Sequence, residues 1–452
     1  MALAQAPDPR VIAAVGPEAQ GEGSKPPTWG TTAAAGGDRV LAAHNVGPRG
    51  TACVSTRVGF AMAVMDQYET WTWTHEGIVD VPGDPGARAI DPSIAYNPIT
   101  GDFVLISLVH APIGVAHALP LHSQSGAPFA DGWEELNAES ELPPGDKCWI
   151  VAGEMTEEVQ EFYISYNAGS SQDELHYIRS TDGGYTWVGG PIEVGSTQVT
   201  GRVGSYMAVV DEGPLYVLNV HVEENDANDP DDDVFSIRVL QGADQQDGTV
   251  QFSFLAASPF FQIPHVDIPF IAYYVTSYVP RPSAAAWAGI TPAPRIAADP
   301  TDPNALHVVY ADVADPNFNP NDADVDVDVC YVKLTRQYLM GSPYWAASNR
   351  LRVNDDQVDP GLIADQYLPD IAVGNEGVIH VIFYDDRDFE QDDDETDVKF
   401  HVYYAYSTDG GASFQPNQRS YLEDSEDHPS THAWMRTATP RLCSSSWAST
   451  SA

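Results

Sequence analysis

Residues 180–187 read STDGGYTW and residues 407–414 read STDGGASF. One pattern, Ser-x-Asp-x-Gly-x-(Thr/Ser)-(Trp/Phe), therefore occurs twice in distant parts of the chain, and each fixed position suits a tight turn. After the opening Ser180 and Ser407, Asp182 and Asp409 can accept hydrogen bonds from backbone N–H groups a few residues on. Gly184 and Gly411 can take the positive φ that such turns need. Thr186 and Ser413 add hydroxyls, and Trp187 and Phe414 supply an apolar plug beneath. The strand-like runs ELHYIR and FHVYYAY come just before the two copies. Each copy is therefore expected to close a β-hairpin.

A larger unit repeats around these turns. DPSIAYNPITGDFVLISL, DKCWIVAGEMTEEVQEFYISYN, GSYMAVVDEGPLYVLNVHV, PRIAADPTDPNALHVVYADV and LPDIAVGNEGVIHVIFYDD share one plan, and TWGTTAAAGGDRVLAAHNV follows it less closely. Each is an apolar or β-branched run, a polar turn, and a second such run. A loop, a third strand and the eight-residue turn follow in the third and sixth units. A worn copy, VMDQYETW, stands in the first and keeps Asp66, Thr70 and Trp71, and ADQQDG near Asp244 sits where a copy belongs in the fourth. Repeats of this length with four short strands predict the blades of a β-propeller.

The eight-residue pattern is the Asp-box, and the chain resembles the Asp-box (BNR-repeat) propellers of the sialidase-like superfamily. The expected fold is all-β, a six-bladed β-propeller with four-stranded antiparallel blades and Asp-box turns. Residues 28–422 are expected to form it, after a loose lead-in (1–27) and before a Ser/Thr-rich tail (423–452). Residues 258–290, aromatic and apolar, are read either as an insertion or as part of a blade.

Charge constrains the partners. The chain carries 65 Asp and Glu against 21 Lys and Arg, a formal net charge of −44. Such a surface repels nucleic acid and anionic membranes, and no apolar run is long enough for a membrane-spanning helix. The ALAQA near the start resembles the end of a secretory signal, which points to a secreted or cell-surface protein. Cys53, Cys148, Cys330 and Cys443 form no CxxC and leave three disulfide connectivities open.

The connections between second and third strands are unusually acidic in the last three units. They place Asp231, Asp232 and Asp233, then Asp322, Asp324, Asp326 and Asp328, then Asp392, Asp393 and Asp394 on one face. Two readings are open: solvated acidic loops, or oxygen ligands for Ca²⁺. No organic cofactor is expected. His110, His117 and His122 approach the same face from the second unit, without the spacing of a strong metal motif.

The resemblance further implies an arginine triad that clamps a substrate carboxylate, a tyrosine nucleophile and its glutamate base. Arg88, Arg202 and Arg295 stand near the starts of inner strands where such arginines belong. Tyr367 resembles the nucleophile, with Glu193 as its base. Pairing of these arginines with nearby carboxylates, and packing of Tyr367, is the competing reading. The first-blade arginine of the family is missing, since that region reads PPTWGTT. The sequence therefore favours an exported module that binds a carbohydrate, cation or protein through its acidic face. An exo-acting, sialidase-like glycoside hydrolase is the alternative.

Overall fold

The computed structural model describes residues 28–419 except 37–38, 47–56, 66–70, 79–87, 111–115, 124–132, 136–144, 156–157, 169–173, 201–204, 211–213, 224–233, 246–248, 256–265, 269–293, 314–326, 357–363, 365, 386 and 388–400. The described residues form strands and turns, and no helix among them is long and apolar enough to cross a membrane.

All six strand pairs read from the sequence form. Thr28–Gly36 pairs with Arg39–Val46, Arg88–Asn97 with Asp102–His110, and Gly145–Met155 with Gln160–Ala168. Ser205–Val209 pairs with Leu215–Glu223, Arg295–Ala298 with Ala305–Val313, and Gln366–Val373 with Ile379–Asp385. Every pair is antiparallel. Third and fourth strands extend each pair in chain order, so the described residues make six sheets. The fourth sheet gains Glu193–Val194 and Thr197–Gln198 at its outer edge, and Val266–Ile268 pairs with its third strand. That short strand is the described part of the segment 258–290.

Successive residues of these strands are buried on opposite faces, which is why the runs read as continuously apolar rather than alternating. Val308 packs towards the fourth sheet while Val309 packs towards the sixth. Tyr216 and Val217 divide in the same way between the fifth and third sheets. Each of the five described cores fills the gap between two sheets consecutive in the chain. First strands contact first strands: Arg88–Asn97 meets Thr28–Gly36 and Gly145–Met155, and Ser205–Val209 meets Gly145–Met155 and Arg295–Ala298. Arg295–Ala298 in turn meets Gln366–Val373. Sheets stacked face to face, with their first strands innermost, make an all-β propeller.

Both eight-residue turns join a third strand to a fourth, as their sequence predicts. In the first, Asp182 Oδ1 accepts the N–H groups of Tyr185 (3.0 Å) and Thr186 (2.8 Å), and Oδ2 accepts the Thr186 hydroxyl at 2.6 Å. The Ser180 hydroxyl donates to Asp182 at 2.8 Å and accepts the Gly184 N–H at 2.7 Å. Asp409 repeats the set with Ala412, Ser413 and Ser407. Gly184 and Gly411 have φ of 97° and 87°. Trp187 is buried and donates its indole N–H to the Gly184 carbonyl at 3.0 Å.

The worn first-unit copy and ADQQDG also fall between third and fourth strands, at Arg57–Met65/Trp71–Ile78 and Val234–Asp244/Val250–Phe254. Cys148 and Cys330 are buried in different cores. Cys53 and Cys443 lie outside the described residues.

Candidate functional site

Five first strands, from the second to the sixth sheet, enclose a cavity of about 460 Å³ on the propeller axis. One sequence position recurs around it. Trp149, Tyr206, Arg295 and Asp370 each stand directly before an inward-packing apolar residue, namely Ile150, Met207, Ile296 and Ile371, and all eight line the cavity. Repetition of the strand therefore delivers four chemically different side chains to one ring of positions. Tyr96 and Gln160 complete the polar and aromatic part of the wall.

Arg295 lies at the centre of this group. Its guanidinium carbon is 3.7 Å from the centroid of the Tyr206 ring and 5.3 Å from that of Trp149. Trp149 meets Tyr206 edge-on, with centroids 5.1 Å apart and planes at 75°. The Nη1 group donates to the Pro294 carbonyl at 3.3 Å, and Nε is 3.8 Å from Asp370 Oδ1. Cation–π stacking thus fixes the guanidinium plane, and the carboxylate balances its charge.

Asp370 accepts the Ile371 N–H at 2.9 Å through Oδ1, and 43 % of its side chain remains accessible because the channel is hollow. The channel walls nevertheless displace bulk water from the carboxyl, which raises its pKa. Arg295 and the Ile371 N–H oppose that rise. A partly desolvated carboxylate with open lone pairs, beside two aromatic faces, can hold a hydroxyl, an amine or a proton.

A backbone irregularity sets Asp370 in place. Tyr367 is opposite Tyr384 but Asp370 is opposite Ile382, so the first strand carries one extra residue here. Leu368 has φ of 50°, costly for a side-chain-bearing residue, and Pro369 follows it. The same one-residue shift occurs between Ile90 and Ser93 and between Trp29 and Thr32, also in first strands. Such bulges re-aim side chains and concentrate beside binding sites.

The residues expected from sequence are distributed as follows. Arg295 is in the cavity wall. Tyr367 is on the innermost strand of the sixth sheet, three residues before Asp370. Arg88 opens the innermost strand of the second sheet, opposite His110, while Arg202 lies outside the described residues. Glu193 is exposed on a short strand added beyond the fourth strand of the fourth sheet, whereas Tyr367 is on the first strand of the sixth. His117 and His122 face Val109 and Val104 across the strand pair.

Of the ten acidic-loop candidates, Asp328 alone is described, and Asp231, Asp232, Asp233, Asp322, Asp324, Asp326, Asp392, Asp393 and Asp394 lie outside the described residues. Asp328 is buried, and its Oδ1 is 2.7 Å from both Arg352 Nε and Asn354 Nδ2. No group of three or more His, Cys, Asp or Glu suited to a metal ion occurs among the described residues.

Asp328 belongs to a polar network at the base of the acidic connections. Arg387 donates to Asp385 (Nε to Oδ2, 2.9 Å), to Asp355 (2.7 Å) and to Asn417 (3.1 Å), and its guanidinium covers the Tyr403 ring at 4.3 Å. Burial raises the pKa of Asp385 and the bonds to Arg387 hold it down. Asp355, bonded to Arg387 and to the Asn417 N–H, titrates below the usual carboxylate range despite its partial burial. The network fixes the strand ends from which the acidic segments leave.

Sequence reading missed Trp149, Tyr206 and Asp370. The signal was present in the aligned inner strands WIVA, YMAV, RIAA and DIAV, whose leading residues are the four that meet.

No protein-family model and no curated protein matches the chain. Among solved structures, it is similar to a Hadza microbial sialidase (12% identity, TM-score 0.45, over 78% of this chain and 63% of that one). It is also similar to the NanB sialidase from Streptococcus pneumoniae (10%, 0.46, over 80% and 65%). A third is a Penicillium chrysogenum alpha-L-arabinanase complexed with arabinobiose (10%, 0.43, over 80% and 91%). The chain spans under two thirds of the length of the two sialidase chains.

Proposed function

We propose that the chain is an exported six-bladed propeller, each sheet one blade, that binds a glycan in its axial channel. The observation that carries this reading is the ring of Trp149, Tyr206, Arg295 and Asp370 around one cavity. Sugars are recognised by aromatic faces that take their C–H surfaces and by planar charged groups that take paired hydroxyls. This wall offers both. A glycan-array screen of the intact chain beside Trp149→Ala tests it. Binding that Trp149→Ala reduces at least about tenfold, the loss of one good contact, supports the site. Binding unchanged by the substitution places the glycan elsewhere.

A second reading, an exo-acting glycoside hydrolase, is favoured by Asp370, a cavity-wall carboxyl with a raised pKa, three residues from Tyr367 on the same innermost strand. A carboxyl whose pKa is raised by burial holds its proton more tightly and can act as a general acid to a leaving-group oxygen. Turnover of fluorogenic glycosides, a sialic acid glycoside included, that both Asp370→Asn and Tyr367→Phe abolish would establish it. Absence of turnover across the panel leaves the binding module.

A further inference from the structure

The channel's charge arrangement carries the glycan reading one step further, to the class of glycan. Arg295 is the one arginine among the described cavity residues, and it is engaged on several sides. Tyr206 stacks on its plane at 3.7 Å, Pro294 accepts from Nη1 at 3.3 Å, and Asp370 lies 3.8 Å from Nε. A ligand carboxylate seeking a bidentate fork would meet a guanidinium already stacked and charge-balanced, with a carboxylate next to it.

Asp370 is differently placed. At 3.8 Å the Arg295 pairing is longer than a hydrogen bond. The carboxylate therefore keeps acceptor capacity beyond its bond to the Ile371 N–H, and 43 % of the side chain is accessible from the channel. A cation arriving here gains a charge-assisted hydrogen bond, with the rings of Trp149 and Tyr96 in the same wall.

The approach has the same sign. Arg295 opens its strand opposite Val309, the middle residue of the partner strand Ala305–Val313, and connection 314–326 follows that strand in the chain. The connections 224–233 and 388–400 carry Asp or Glu at 6 of 10 and 7 of 13 positions, and 314–326 carries Asp at 4 of 13, in a chain of net charge −44. A net charge of this sign attracts cations to the molecule and repels anions.

Building on the channel reading, we propose that the site selects glycans bearing free amines, with Asp370 as counter-ion to the ligand ammonium and Trp149 as the surface for its ring. A glucosamine oligomer is the simplest such ligand.

Calorimetric titration of the full chain with three probes tests this: a glucosamine hexamer, the fully N-acetylated hexamer, and a sialylated oligosaccharide. The glucosamine hexamer should bind at least about tenfold tighter than its acetylated form, the worth of one charge-assisted hydrogen bond. Asp370→Asn should abolish that preference by weakening the glucosamine hexamer far more than the acetylated hexamer, and Trp149→Ala should weaken both. Equal or tighter binding of the acetylated or sialylated probe overturns the amine assignment but leaves the glycan site standing. A preference for amines that survives in both Asp370→Asn and Trp149→Ala also overturns it, because the acidic surface alone would then explain it. No binding of any probe overturns this inference and, if the wider array is also empty, the glycan reading with it.

Discussion

Asp182 and Asp409 hold their turns with the same atoms, so the two copies report on each other. Each carboxylate accepts two backbone N–H groups and two hydroxyls, which holds its pKa below the ordinary carboxylate value. The sign follows from linkage: a folded-state pKa that is depressed contributes stability above the unfolded-state value, and that stability is lost as pH falls through the folded value. Thermal midpoints measured from neutral to acid pH should converge for wild type and the Asp182→Asn/Asp409→Asn pair, with wild type higher only on the neutral side. The glycines separate two effects. Gly341 and Gly411 have φ of 86° and 87°, but a Cβ at Gly341 meets nothing within 4 Å, whereas at Gly411 it overlaps the Tyr331 hydroxyl. Gly341→Ala should cost about 1 kcal/mol of backbone strain. Gly411→Ala should cost more than about 3 kcal/mol, as overpacking adds to the strain. Urea unfolding of both variants checks the ordering.

At the scale of the strand, local chemistry was fully legible and placement around the axis was not. The six pairs and the turn positions could be read because apolar runs and Gly-Asp turns act over a few residues. Glu193, which the family resemblance offered as the base for Tyr367, lies instead on a short strand added beyond the fourth strand of the sheet whose first strand carries Tyr206. Only the stacking of sheets decides which strand ends become neighbours. Trp149 and Asp370 are far apart in sequence and line one cavity because both stand on innermost strands of stacked sheets. The bulge before Asp370 was foreshadowed by Pro369, since proline within a strand run marks an irregular or edge position. Leu368 bears the strain of that bulge, so Leu368→Gly should stabilise the fold by about 1 kcal/mol. The same change loosens the backbone that aims Asp370, and ligand affinity should fall as stability rises. Chemical denaturation and titration on one sample read both directions.

Across the whole molecule, arginines lock neighbouring segments where apolar cores end. Arg179 reaches across from the third sheet to Asp244 of the fourth at 2.9 Å and to Glu161 at 2.8 Å. Arg387 gathers Asp385, Asp355 and Asn417 beneath the acidic connections. Asp385 is fully buried, so Arg387→Met leaves its charge without a partner and should cost about 3–5 kcal/mol. Asp385→Asn in the same chain should recover part of that loss, which urea denaturation of the single and double variants would show. The sequence announced the charge excess but not its arrangement, because the composition of −44 says nothing about which carboxylates are paired inside and which face the channel. The central claim is that the axial ring, not the rim or the acidic connections, is where a ligand sits. A crystal structure of the chain with a bound glucosamine hexamer tests it most directly. The account predicts a sugar ring against Trp149 with its amine on Asp370. Sugar density confined to the rim or the acidic connections, with an empty channel, would contradict it.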